Sequence, residues 1–236
     1  MRAALTFDVE DPDSPNHVGA SELATILGAL DEAGMRATFF VQGRWLEAHP
    51  EAAAAIGAGG HLVGNHSYFH VDSRFLSAEG LRQDVTRAHR AIEGVVGADD
   101  RPWYRLPYGA GAESPVIAAR LRALGYRHVG WDVDPRDYAL TDPAELVPAV
   151  AAGLEARRRA GAGHAIVLLH SWPVATAAGM PELCRYLAGN CEATVTVDQV
   201  PGQGAVPTRS PVAHALRWAG SRAKHALRGG RGAVRA

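Results

Sequence analysis

Two histidines, His66 and His70, stand four residues apart in the run Asn65-His66-Ser67-Tyr68-Phe69-His70. That spacing puts two imidazoles on one side of a helical turn, and neutral imidazole nitrogen is a favoured ligand for zinc and its neighbours. The pair alone is only a pincer. With 11 histidines in 236 residues, surface or core packing explains such a pair about as well. A catalytic zinc takes three protein ligands and keeps a position open for water, so the question is what supplies the third. Carboxylates at Asp8, Glu10 and Asp11 are available. Other chemistry-bearing side chains are Arg105 and Tyr108, the acids Asp132, Asp134 and Asp137, and His170. Singly, each has a structural explanation as a cap, a surface ion pair or a core histidine.

The elements that must position them alternate. Short apolar runs at Ala3 to Phe7, Ala37 to Val41, His61 to Val63, Trp103 to Arg105, Tyr126 to Trp131, Ala165 to Leu169 and Ala193 to Val197 predict strands. Between them lie helical patterns. One is capped by Ser21, carries Leu23, Ile26, Leu27 and Leu30, and closes at Gly34. Others cover Ala52 to Ala58 and, from Ser77, the stripe Leu81, Val85, Ala88 and Ile92. Ser114-Pro115 opens a helix through Ile117 and Leu121, Asp142-Pro143-Ala144-Glu145 opens one to about Arg159, and a last helix lies near Pro181 to Leu187. About seven strand-then-helix repeats predict an α/β fold of parallel strands with outer helices, as a barrel or an open sheet. In both, ligands collect beyond the carboxyl ends of the strands. The candidate residues follow those ends one after another.

Composition narrows the class. Hydrophobic residues make up 47% and charged residues 21%, with a formal net charge of −1, so the body is globular and no nucleic-acid partner is expected. Cys184 and Cys191 form neither a disulfide framework nor a metal knuckle. The first residues hold no long apolar stretch, and the expectation is a cytoplasmic protein. Residues 1–200 read as one catalytic domain. Residues 201–236 carry seven Arg or Lys and no acid and read as a basic tail, solvated or able to make weak contact with an anionic surface through Val212, Leu216, Ala219, Ala223 and Leu227.

Taken in order, Thr6-Phe7-Asp8, His66-Ser67-Tyr68-Phe69-His70, Arg105-Leu106-Pro107-Tyr108, Trp131-Asp132-Val133-Asp134-Pro135-Arg136-Asp137 and Leu168-Leu169-His170 resemble the five motifs of the polysaccharide deacetylase family. Its members include chitin, chitooligosaccharide and peptidoglycan deacetylases. The likeness spans roughly Leu5 to Val200 and implies a distorted (β/α) barrel of the seven-strand type and metal-dependent hydrolysis of an N-acyl bond.

The first motif departs from the family pattern. Most relatives carry two adjacent aspartates, a base and then a metal ligand, whereas Asp8 is followed by Val9, Glu10 and Asp11. Alternation along an extended segment puts Asp8 and Glu10 on one side. Glu10 is therefore the expected third ligand beside His66 and His70, with Asp11 in reserve. The resemblance implies a divalent metal, zinc first, with Asp8 as base and Arg105 as its ion-pair partner. It also implies a Tyr108 N–H for the oxyanion and His170 as acid, supported by Asp137 or alternatively Asp134. Tyr68 and Trp172 are expected to wall the substrate, an N-acyl amino sugar or oligosaccharide. A deformylase, a cyclic-amide hydrolase or a silent carbohydrate-binding relative are the alternatives.

Overall fold

The computed structural model describes residues 1–11, 20–97 and 99–202. The basic tail, from residue 203 on, lies outside them. Seven strands are described: β1 (Arg2–Val9), β2 (Thr38–Val41), β3 (Leu62–Asn65), β4 (Trp103–Tyr104), β5 (Arg127–His128), β6 (His164–His170) and β7 (Ala193–Val195). All pair in parallel, in the order β5-β4-β3-β2-β1-β6, with β7 beside the start of β1. Beyond β5 the chain crosses to β6. There Asp132 and Val133 donate to the Ile166 carbonyl at 2.8 and 3.0 Å, and Leu168 donates back to Val133 at 2.9 Å. The sheet thus curls into a barrel.

Helices fill the crossovers, as parallel pairing requires: α1 (Ser21–Glu32), α2 (Gly43–Ala48), α3 (Pro50–Ala58), α4 (Ala78–Val96), α5 (Pro115–Ala123), α6 (Leu146–Arg159) and α7 (Val174–Asn190). Strand parity divides the core. Ala3, Leu5, Phe7 and Val9 pack outward with helix residues such as Leu23, Ile26 and Leu30. Ala4 packs inward with Phe40, Trp103, Val129 and Ile166. Successive side chains alternate faces, so Thr6, Asp8 and, one step beyond the strand, Glu10 share the inner face with Ala4. In β6 the inner set is Ile166, Leu168 and His170. Register pairs Asp8 with His170, so the two arrive at the same rim.

Several local expectations differ from the structure. Ser21 does not cap α1; its hydroxyl donates to Glu22 at 2.8 Å, and Ala20 occupies the cap without a side-chain bond. The pattern did not reveal α2, a single short stretch that begins at Gly43, where a Cβ would lie 2.6 Å from the Tyr68 ring. The strand expected to Trp131 pairs only at Arg127 and His128, because the backbone then leaves β4 for β6, where Asp132 accepts the Ile166 N–H at 2.8 Å. The last helix begins at Val174 and carries Pro181 within it. Its buried stripe of Ala177, Met180, Leu183, Cys184 and Leu187 continues on both sides of the proline, and that packing outweighs the lost backbone hydrogen bond.

Among the described residues no helix is long and apolar enough to cross a membrane. Phe39 is fully buried and stacks on Phe7 with centroids 5.0 Å apart. Phe39→Ala is expected to lower unfolding free energy by about 3–5 kcal/mol, measured by urea denaturation.

Candidate metal centre and active-site cavity

The histidine pair is not on a helical turn. After Asn65 ends β3, the chain enters a loop containing two left-handed residues, Ser67 (φ 63°) and His70 (φ 58°). Such conformations cost of order 1–3 kcal/mol each outside glycine and persist only where surroundings enforce them. Here the Asn65 side-chain oxygen Oδ1 accepts the Ser67 N–H at 2.9 Å, and the Ser67 hydroxyl accepts the His70 N–H at 2.8 Å. From α4, the Asp84 carboxylate accepts the Tyr68 and Phe69 N–H groups, each at 3.0 Å. Burial pushes the Asp84 carboxyl up, and the two N–H groups oppose that rise. Asp84 was not among the sequence candidates. Its signal was an acid inside the apolar stripe of α4, between Leu81 and Val85.

The loop brings the two imidazoles together, ring centroids 4.9 Å apart. His66 Nδ1 lies 3.0 Å from the Arg105 carbonyl oxygen. A carbonyl only accepts, so Nδ1 carries the hydrogen and the neutral ring turns its Nε2 lone pair away. That Nε2 is 3.2 Å from Glu10 Oε2, and His70 Nε2 is 2.6 Å from the same oxygen. Both His66 Nε2 and Glu10 Oε2 are buried without a hydrogen-bond partner. Two lone pairs so placed repel unless a positive charge lies between them.

Burial alone would raise the Glu10 carboxyl, and the His66 and His70 imidazoles beside it hold it well below the carboxylate range. Burial alone would lower His66, and the charges of Asp8 and Glu10 raise it instead. Ligand atoms of Glu10, His66 and His70 all lie within 4.8 Å of one another. Two imidazoles and a carboxylate around orphaned lone pairs fit a zinc-type ion. Asp11, the reserve ligand, lines the neighbouring cavity and is not part of this cluster.

Asp8 lies beside the cluster, its Oδ2 3.5 Å from His66 Nε2. Its other oxygen accepts from Arg105 Nη1 at 2.8 Å. The Arg105 guanidinium has no exposed surface, lies over the Phe40 ring and also donates to the Val129 and Gly130 carbonyls. Across the sheet, Asp137 takes three hydrogen bonds: from His170 Nδ1, from the His170 N–H and from the Thr176 hydroxyl, each 2.8 Å. Burial would depress the His170 imidazole, and Asp137 outweighs it, raising the pKa to about 9. Asp134 faces the cavity and accepts the Arg136 N–H at 2.8 Å. Asp132 is spent on the backbone of β6 and an ion pair with Arg157.

These groups open on one cavity of about 510 Å³. Asp8, Glu10, His70 and His170 form its polar floor, and Tyr108, Trp131, Tyr138 and Trp172 its aromatic walls. Tyr108 is left-handed (φ 57°), with its ring 4.5 Å from that of His70. Tyr138 and Trp172 flank His170 at 5.5 and 5.9 Å. The expected wall at Tyr68 is not found. Tyr68 is buried, its ring 3.7 Å below the Arg87 guanidinium and its hydroxyl on Glu47 at 2.6 Å, because the loop turns it toward α2 and α4. Trp103 lies in the inner core. His17, which follows the first motif in sequence and could add a substrate contact, falls outside the described residues.

The sequence model of the family named Polysaccharide deacetylase matches residues 2–129. The chain belongs to the polysaccharide deacetylase family. A chitooligosaccharide deacetylase of Rhizobium leguminosarum bv. trifolii is 33% identical over 197 residues, spanning 83% of this chain and 78% of the relative. A family 4 carbohydrate esterase from Streptomyces lividans, solved in complex with acetate, superposes with a TM-score of 0.65 at 29% identity, covering 79% of this chain and 88% of that one. A family 4 pseudoenzyme from Bacillus anthracis superposes with a TM-score of 0.72 at 24% identity, covering 86% and 66%. That last likeness concerns the fold alone, so within this deacetylase family the site residues must carry the functional argument.

Removing one partner of a buried ion pair strands the other charge. Arg105→Met is expected to destabilise this family member by about 3–5 kcal/mol in urea unfolding. Adding Asp8→Leu to it should recover most of that loss; a double variant no more stable than the single would show that the pair is not coupled.

Proposed function

We propose that this family member is a zinc-dependent hydrolase that removes the acetyl group from an N-acetylated amino sugar or its oligosaccharide. The carrying observation is the buried meeting of Glu10 Oε2 and His66 Nε2, neither hydrogen-bonded, beside His70 and 3.5 Å from Asp8. An acetate-bound structural relative and a chitooligosaccharide deacetylase among the sequence relatives support the choice of acyl group and sugar.

Glu10, His66 and His70 would hold the ion, which when bound would polarise the amide carbonyl and acidify water. Asp8 takes the water proton, and Arg105 keeps its carboxylate aimed. As the carbonyl carbon becomes tetrahedral, its oxygen gains charge and accepts the Tyr108 N–H. Pro107 has no N–H, so the donor has to come from the next residue. His170, protonated through Asp137, gives its proton to the departing amine, without which the C–N bond would have to expel an anion. Tyr108 and Trp172 present flat faces to the pyranose ring, and the cavity of about 510 Å³ holds a small saccharide.

Zinc-loaded protein is expected to release acetate from N-acetylglucosamine oligomers. Glu10→Ala should lose the metal, whereas Asp8→Asn should keep it and lose about 10²–10⁴ in kcat, read by metal analysis and an acetate assay. Loaded protein that binds the oligomers without turnover would refute the hydrolase and leave a binding protein.

Without the ion, Asp137 raises the His170 imidazole to about 9, and a dication held by Glu10 would lower it from there. The kcat profile should therefore fall on the alkaline side at or below that value. Asp137→Asn, which removes the charge that raises the imidazole, should move this limb to lower pH by about one unit or more. An unmoved limb would take His170 out of the acid role.

A further inference from the structure

Asn65 is fully buried at the end of β3, immediately before His66. Its side-chain amide has two orientations that differ only by a flip. In the observed one, Nδ2 donates to the Val85 carbonyl at 3.2 Å and to the Tyr126 hydroxyl at 3.4 Å, while Oδ1 accepts from Ser67. Flipped, the amide would set donor against donor at Ser67 and acceptor against acceptor at Val85.

The Tyr126 hydroxyl can accept on that side only if its single proton is engaged elsewhere. Asp100 engages it, with both carboxylate oxygens 2.9 Å away. Asp100 is itself fully buried, and its carboxylate also accepts from His89 Nδ1 on α4. A carboxylate only accepts, so every bond points toward Asp100: His89 to Asp100 from one side, and Tyr126 to Asp100, Asn65 to Tyr126 and Ser67 to Asn65 from the other. The direction continues to the metal loop, because His70 N–H donates to the Ser67 hydroxyl.

The network thus begins near the surface on α4, where the His89 side chain is 17% exposed, and ends at the backbone N–H of His70, in the loop that carries the two imidazoles. None of its first three members touches the cavity. His89, Asp99 and Asp100 also cluster closely enough to suggest a second ion site. However, Asp99 is paired with Arg101 at 2.8 Å and Asp100 is satisfied by Tyr126 and His89. Bracing accounts for the group better.

We propose that Asp100 and Tyr126 are positioning residues for the metal centre. Acting through Asn65, they hold the left-handed loop that aims His66 and His70, and so they set affinity for the divalent ion. This rests on the ligand set proposed above.

The test is zinc affinity of the full chain, by competition with a chromophoric chelator, together with Tm of the metal-free and zinc-loaded forms. Tyr126→Phe removes one oxygen and keeps the ring against Tyr104 and His89. It is expected to weaken zinc binding about 10-fold or more and to shrink the rise in Tm that zinc produces. A variant with lower Tm in both forms but wild-type zinc affinity would make the network purely structural and overturn the proposal. Should Tyr126→Phe fail to fold, Asp100→Asn and Asp100→Ala decide. The first keeps an acceptor for the Tyr126 hydroxyl and should bind zinc more tightly than the second; equal affinities overturn the proposal. Wild-type protein that takes up no zinc removes the metal centre itself, a failure distinguishable from the others.

Discussion

A guanidinium sealed from water holds the site together. Arg105 reaches Asp8 with its side chain and His66 with its backbone carbonyl, so one residue fixes both a carboxylate at the cavity and the tautomer of a neighbouring imidazole. Its burial disfavours the charge and lowers its pKa, and Asp8 opposes that fall. Burying a cation costs several kcal/mol unless its donors are matched. Here the Val129 and Gly130 carbonyls and the Phe40 ring take up what Asp8 does not. Asp8, with Arg105 behind it and Glu10 two residues on, therefore has little freedom to turn.

Strand parity supplies the rest of the geometry. A parallel barrel directs alternate residues inward, and at the carboxyl ends the lumen is no longer filled by apolar side chains. In β1 and β6 the inward series changes from Ala4 and Ile166 to Asp8 and His170 within two turns of the pleat, in register. The family's usual two adjacent aspartates would point to opposite faces of a straight strand. The Asp8-Val9-Glu10 order keeps both acids inward and sends Val9 to the outer core.

Much of this was legible in the sequence because period and type are local. The buried strands, the helix starts at Ser77 and Ser114, and the placement of Asp8, Glu10, Arg105 and His170 at or just past the carboxyl ends of strands all follow from patterns within about ten residues. Where long-range contacts decide, the sequence was mute or misleading. The spacing of His66 and His70 suggested a helical turn, yet the loop is set by Asp84, 15 and 16 residues from the N–H groups it accepts, and by Asn65, whose amide is held by Val85 and Tyr126, 20 and 61 residues away. Tyr68 beside the metal motif suggested a substrate wall, yet its backbone direction sends it under Arg87. Choosing between Asp134 and Asp137 as the partner of His170 needed the crossing from β5 to β6, which no local pattern encodes.

The central claim is that Glu10, His66 and His70 converge on one cation. The most direct measurement is an anomalous-scattering map from crystals of the zinc-loaded protein. The expected result is a single peak about 2.0–2.2 Å from Glu10 Oε2 and from the Nε2 atoms of both histidines. A peak ligated by Asp8 or Asp11 in place of Glu10, or none between the two imidazoles, would contradict it.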